Sequence, residues 1–300
     1  MQVRFDANSA WLTDISCFEP RHIFECGQCF RFVPDSGGYT GVAHGRVLHV
    51  EKHGQDVRLW PCSKQEYDEV WRHYFDLDTD YDKLLNGLPM DGFLQASVSY
   101  GRGLRLLRQP PFETLITFIL SANNNVSRIR SLVERLCRAY GEPVEEGLFD
   151  FPSPAALAAA SEDDFRALGT GYRAAYIRSA AKAVADGFDL NALAHLPYAE
   201  AKKVLQMLDG VGPKVADCVL LFALGHRCAF VQDVWIRRVL RDVYHAPHAK
   251  AEAERFIQAR FGEYGGIVQQ YLFHYARSMK KLQPQDIQAR EMKLTVQGIV

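Results

Sequence analysis

The sequence predicts an α+β protein, in which an N-terminal antiparallel β-sheet domain with flanking helices precedes a mainly α-helical domain containing a helix–hairpin–helix. Three observations carry this expectation. Short β-type runs alternate with glycine turns through the first third of the chain. The prolines of "RQPPFE" (108–113) then punctuate the chain, and beyond them the hydrophobic period becomes that of helices ending at Gly or Pro. Within that second part, "LDGVGPKVAD" (208–217) joins two helical segments through a tight glycine turn.

Taken in order, "QCFRFV", "GYTGVA", "GRVLHVE" and "DVRLWP" are separated by the turn-forming "PDSGG", "AHG" and "KHGQ", and read as an antiparallel meander. A helical segment is expected from about Lys64 to Phe75. After the boundary near Pro110 come "ETLITFILSANNN", "VSRIRSLVERLCRAYG", "PAALAAASEDDFRALG", "RAAYIRSAAKAVADG", "AEAKKVLQML" and "PKVADCVLLFALG", each with helical periodicity. Asp233 stands at the N-cap position of a further helix whose apolar face is Ile236, Val239, Leu240 and Val243. The expected division is 1–110, 111–280 and a polar tail, 281–300, to which no element is given.

Hydrophobic residues make up 48% and charged residues 24% of the 300, as in ordinary globular proteins. No apolar run reaches about 18 residues, so no membrane span is expected. "MQVRFDANSAWLTD" does not read as a signal peptide, which makes cytoplasmic residence the expectation: nucleoid-associated in a bacterium, nuclear in a eukaryote. The seven cysteines, at 17, 26, 29, 62, 137, 218 and 228, are scattered unlike a disulfide framework. Cys26 and Cys29 form a lone C-x-x-C without the second pair a zinc site wants, so no metal and no cofactor are expected. A net charge of −1 argues against a strongly cationic protein, but the charge is unevenly distributed. Arg102, Arg105, Arg108, Arg128, Arg130, Arg135 and Arg138 face only Glu113 and Glu134 over 102–140, which offers a locally basic face.

Lys214 opens an otherwise apolar helix and shares its face with Cys218 and Leu221. Desolvating an ammonium is costly and favours the neutral amine, which can act as a nucleophile. A lysine snorkelling at a helix end, paired with Asp217 at i+3, is the plainer alternative. The turn Gly210-Val211-Gly212 lets a backbone approach closely, and the helix start leaves N–H groups free, a combination suited to a nucleic-acid phosphate. An ordinary corner between two helices would look the same. Nineteen positions on, Asp233 can be read as a cap alone, or as a carboxylate kept ionised by the helix dipole. Beside a nucleophilic amine, such a carboxylate serves a reaction that passes through a cationic sugar.

"LDGVGPKVADCVLLFAL…FVQDVW" resembles the helix–hairpin–helix DNA glycosylases that carry a catalytic lysine and aspartate, and more narrowly the 8-oxoguanine DNA glycosylase/AP lyase family. The resemblance runs from "GQCFRF" near residue 27, through "YGRGLRLLRQPPFETLITFILSANNNVSRI" and "LGTGYRAAYI", to "QQYLFHYARSM" near residue 279. It implies base flipping, attack on the sugar by Lys214 with Asp233 beside it, a Schiff base, and β-elimination. It further implies that the Gly27 carbonyl accepts the proton on N7 of 8-oxoguanine, that Cys218 and Phe273 sandwich the base, and that Gln269 meets its Watson–Crick edge. Asn123, Arg128, Tyr172 and Arg173 match the residues that fill the gap and hold the orphaned cytosine. The implied partner is double-stranded DNA containing 8-oxoguanine, and the implied form is a monomer. Asp209 stands where the family commonly has proline, and Trp235 where histidine is frequent. An iron–sulfur glycosylase is excluded because no cysteine follows Cys228. An alkylation-repair glycosylase or a non-enzymatic DNA-binding module are the alternatives; Lys214 argues against the first, and Lys214 together with Asp233 against the second.

Overall fold

Six strands form one antiparallel sheet: β1 (Gln2–Phe5), β2 (Ala10–Thr13), β3 (Phe32–Pro34), β4 (Gly38–Ala43), β5 (Arg46–His53) and β6 (Asp56–Trp60), in the order β1-β2-β6-β5-β4-β3. In this computed structural model residues 1–279 are described, and the predicted tail 281–300 lies outside them. The β4–β5–β6 meander is the one the turn signals predict. At "AHG", Ala43 pairs with Arg46 around His44 and Gly45, both in the left-handed region, which is the tight hairpin whose twist matches its strands.

Strands β1 and β2 were not foreseen: each has four residues, and although the 6–9 turn pairs them with each other, β2 joins the sheet only by pairing Ala10 with Leu59, far along the chain. "QCFRFV" is strand only from Phe32, because the backbone at Gln28 is held by loops instead of by a neighbouring strand. The segment expected from Lys64 is helical to Tyr74, opened by a capping box between Ser63 and Glu66. "PAALAAASEDDFRALG" forms two helices, Pro154–Ala159 and Glu162–Ala167, since Ser161 restarts the chain by accepting the Asp164 N–H at 3.2 Å.

The helices that build the site are Pro111–Leu120, Val126–Tyr140, Arg173–Ala185, Tyr198–Leu205, Pro213–Phe222, Val234–Asp242 and Gly265–Ser278. Pro213–Phe222 and Gly265–Ser278 are buried on nearly every face, and the former packs along Pro111–Leu120. One core lies under the sheet around Phe18, Phe24, Phe32, Trp71 and Phe75; the larger one fills the helical part and takes in Cys26, Phe30, Phe93 and Leu106 as well. Among the described residues no helix is long and apolar enough to cross a membrane.

Arg105 does not belong to the basic face. It is buried and donates to the carbonyls of Cys17, Phe75 and Asp76, pinning the chain before the first long helix. The basic face that remains is the Val126–Tyr140 helix with Arg128, Arg135 and Arg138 at its surface.

Candidate active site

A cleft of about 1170 Å³ opens where the end of Pro111–Leu120, the start of Pro213–Phe222, the start of Val234–Asp242 and the Gly27 loop converge. Gly27, Asn123, Lys214, Asp233 and Phe273, all proposed from the sequence, line it together with Ser121, Trp235 and Arg277.

The hairpin explains how Lys214 is aimed. Gly210 has φ +78°, and a Cβ there would fall 2.5 Å from the Tyr176 ring, so only glycine closes this turn. Val211 donates to the Leu208 carbonyl at 3.1 Å and buries its side chain, while nothing lies within 4 Å of where a Cβ on Gly212 would stand. Pro213 opens the helix at the position where its missing N–H is harmless. Gly210 and Gly212 border a second cleft of about 820 Å³, which carries Lys202, Arg237, Arg241, His248 and Lys250 and shares Lys214 with the first. Asp209, the acidic departure, accepts the Ser179 hydroxyl at 2.7 Å. Trp235 faces the first cleft, with the Arg238 guanidinium 5.3 Å from its ring centroid.

Asp217 is not the partner of Lys214. It is buried and accepts from Lys202 at 2.8 Å and from the Tyr198 hydroxyl at 2.7 Å, tying the two hairpin helices together. The half-buried Lys214 donates from Nζ to Ser121 Oγ at 2.6 Å and lies 4.8 Å from the Phe118 ring centroid. Cys218 is wholly buried one turn further on, its thiol pushed up to about 12 by burial against the opposing charge of Lys214. Asp233 does cap its helix, accepting the Ile236 N–H at 2.8 Å. Burial nevertheless raises its carboxyl above the usual range, with that N–H and the Lys214 charge opposing. The N–H groups at the start of its helix lower it, but by less than burial raises it.

Around Gly27 the backbone is held on both sides. Gln270 donates to the Cys26 carbonyl at 3.0 Å and Gln109 to the Gln28 carbonyl at 2.7 Å, while the Gln28 side chain bridges Ile23, Arg105 and Leu107. Gly27 itself has φ +84°, and a Cβ would meet Phe273 at 3.2 Å and Arg277 at 3.0 Å. Gln269 lies buried behind the cleft, with Oε1 lacking a hydrogen-bond partner among the described residues.

Arg128, Tyr172 and Arg173 stand beside this cleft without lining it. Tyr172 is 58% exposed. Arg128 is exposed and donates to the Gly169 carbonyl at 3.1 Å. Arg173, expected to be available to a base, is only 7% exposed. Its guanidinium donates to the carbonyls of Ala122 and Thr170 and sits 4.4 Å from the Tyr172 ring centroid. Its direct role here is to hold the 121–124 turn, where Asn123 adopts φ +51°.

Cys26 and Cys29 are both buried, Cys26 in the larger core and Cys29 in the one under the sheet. Among the described residues no three His, Cys, Asp or Glu side chains cluster as metal ligands. Ser121, Phe118 and Arg277 were missed from sequence. The first two lie in "FILSANNN", where only their neighbour Asn123 had been singled out.

Residues 12–115 match the family described as 8-oxoguanine DNA glycosylase, N-terminal domain, and residues 116–262 match the HhH-GPD superfamily base excision DNA repair proteins. The chain is 34% identical over 233 residues to a probable N-glycosylase/DNA lyase of Methanothermobacter thermautotrophicus, spanning 70% of this chain and 74% of that one. It is 36% identical over 258 residues to the N-glycosylase/DNA lyase of Saccharomyces cerevisiae, spanning 74% and 67% respectively. Among solved structures, the 8-oxoguanine glycosylase/lyase of Clostridium acetobutylicum, in complex with double-stranded DNA containing cytosine opposite 8-oxoguanine, superposes with a TM-score of 0.89 at 34% identity. That match covers 93% of this chain and 98% of the other.

Proposed function

The chain belongs to the 8-oxoguanine DNA glycosylase family of the HhH-GPD superfamily, enzymes of base excision repair that are both glycosylase and AP lyase, and we propose that Lys214 and Asp233 carry its two chemical steps. The observation that supports this best is their placement: on two different helices, they line one cleft together with Gly27 and Phe273.

The lesion must leave the stack to reach that cleft. The hairpin turn and the basic residues around it grip the phosphates, and the start of the arginine-bearing 126–140 helix lines the adjoining cleft. With the sugar between the two residues, the nitrogen of Lys214 attacks C1′ through its lone pair as the base departs with the electron pair of the N-glycosidic bond. The Asp233 carboxylate faces the positive charge that develops on the sugar. Loss of the ring oxygen's bond to C1′ then gives a Schiff base on Lys214, and β-elimination cleaves the strand.

Recognition rests on the Gly27 carbonyl. It accepts from N7–H of 8-oxoguanine, whereas guanine offers a lone pair at N7. An unmade buried hydrogen bond costs on the order of 1–3 kcal/mol, which disfavours guanine at this step. Phe273 and Cys218 flank the base and Gln269 meets its Watson–Crick edge, giving the idle Oε1 a donor. Arg128, Tyr172 and Asn123 receive the opposite base, with Arg173 holding the turn that carries Asn123, and cytosine is preferred.

The test is incubation with a duplex carrying 8-oxoguanine opposite cytosine in the presence of borohydride. A covalent protein–DNA adduct and free 8-oxoguanine are expected. Release of 3-methyladenine without release of 8-oxoguanine would overturn the reading.

A further inference from the structure

Arg277 follows Phe273 by one helical turn on Gly265–Ser278 and lines the same cleft. Its guanidinium is fixed from two sides: Nη2 donates to the Glu25 carbonyl, and the group lies 5.3 Å from the Phe273 ring centroid. The other terminal nitrogen, Nη1, is buried and has no hydrogen-bond partner among the described residues. It points at the Gly27 turn, 3.0 Å from where a Cβ on Gly27 would stand. A buried charged donor with nothing to receive it is unfavourable, and such a group persists where something bound supplies the acceptor.

The neighbours of Nη1 say what that acceptor is. Gly27 and Phe273 are the residues placed above against N7 and the face of the flipped base, so this inference rests on that reading. In 8-oxoguanine N7 is bonded to C8, which bears the carbonyl oxygen O8, and to C5, whose neighbour C6 bears O6, so a carbonyl oxygen stands on either side of the N7–H. We propose that Arg277 is a catalytic residue for base release, donating from Nη1 to a carbonyl oxygen beside N7 and stabilising the negative charge that the base acquires as it leaves.

The electrons balance without another reactant. The Lys214 nitrogen bonds to C1′, the C1′–N9 bond breaks, and its electron pair enters the purine, where it is shared between the ring nitrogens and the carbonyl oxygens. A guanidinium stays protonated throughout. Being already held by Glu25 and Phe273, it needs no reorientation as charge develops, which is the condition under which a preset donor is most effective. Guanidinium charge near the base also separates the two steps of the enzyme: it acts while the base is present and is idle during β-elimination.

Three substrates test this on Arg277→Met and Arg277→Lys: an 8-oxoguanine duplex, a duplex with a preformed abasic site, and one with an uncleavable tetrahydrofuran site. Arg277→Met should slow single-turnover base release by roughly 10²–10³-fold, the loss expected for one donor to a developing anion. Cleavage and borohydride trapping at the abasic site, and affinity for tetrahydrofuran DNA, should stay within about threefold. Arg277→Lys should recover part of the base-release rate, because it keeps the charge and loses the fork. Arg277→Met releasing 8-oxoguanine within threefold of the unmodified rate would overturn the proposal. So would an equal loss of base release and abasic cleavage, which marks a structural role. If instead the unmodified protein cleaves abasic DNA but releases no 8-oxoguanine, the underlying reading of the site fails and this inference falls with it.

Discussion

Lys214 Nζ donates to Ser121 Oγ at 2.6 Å, although 93 positions separate the two residues. The Ser121 hydroxyl is itself committed to the Phe118 carbonyl at 2.6 Å, so toward Lys214 its oxygen can only accept. The end of one helix therefore orients the amine carried by the start of another, and the Phe118 ring closes the remaining side.

Lys214→Gln should bind DNA, and should lose both base release and borohydride trapping. Ser121→Ala removes only the orienting acceptor. It should slow base release by about tenfold, the value of one hydrogen bond of about 1.4 kcal/mol, and still form the trapped adduct. Trapping by the Lys214→Gln protein would rule Lys214 out as the Schiff-base residue.

Asp233→Asn keeps an oxygen for the Ile236 N–H and so should melt within a few degrees of the unmodified protein. Base release should fall by orders of magnitude, since the charge is gone. The pH profile follows from the same residue. Burial raises the Asp233 carboxyl above 3.8, and the ionised form is the active one. Activity should therefore fall as pH drops through a value higher than 3.8, and an acid limb at or below it would separate Asp233 from the rate.

The two opposite-base arginines should behave differently. Arg128 is exposed, with one backbone contact, so Arg128→Met should flatten the preference for cytosine over adenine and leave the melting temperature nearly unchanged. Arg173 is buried and ties Ala122 to Thr170, so Arg173→Met should lower both the preference and the melting temperature, the latter by several degrees. Equal rates opposite cytosine and adenine in the unmodified enzyme would remove the basis for both roles.

Glu113, at the start of the Pro111–Leu120 helix, is raised from 4.5 to about 7, chiefly by burial, with the Arg31 charge opposing. Between those values the folded protein binds a proton that the unfolded chain has released. Stability is therefore greatest below about 4.5 and declines as pH rises to about 7, by on the order of 3 kcal/mol from this group. Glu113→Gln should remove that decline. Melting curves between pH 5 and 8 with the same slope for both proteins would contradict it.

Much of this protein is written locally. The β4–β5–β6 meander, the helices after Pro110, the glycine turn before Lys214 and the Asp233 cap all follow from periods, turns and caps that act over a few residues. Those features, with the resemblance they carried, were enough to name Lys214, Asp233, Gly27 and Phe273 as one site. What the sequence could not express is pairing across long separations. Strand β2 is held by β6, Lys214 by Ser121, and the Gly27 turn by Gln109 and Gln270. The tertiary fold alone decided that Asp217 answers to Lys202, that Arg173 is spent on backbone carbonyls, and that Arg277 reaches the cleft with one nitrogen unpartnered among the described residues. The physical reason is the same in each case. A charged or polar side chain takes its character from what burial places around it, and burial is set by which distant segments pack there.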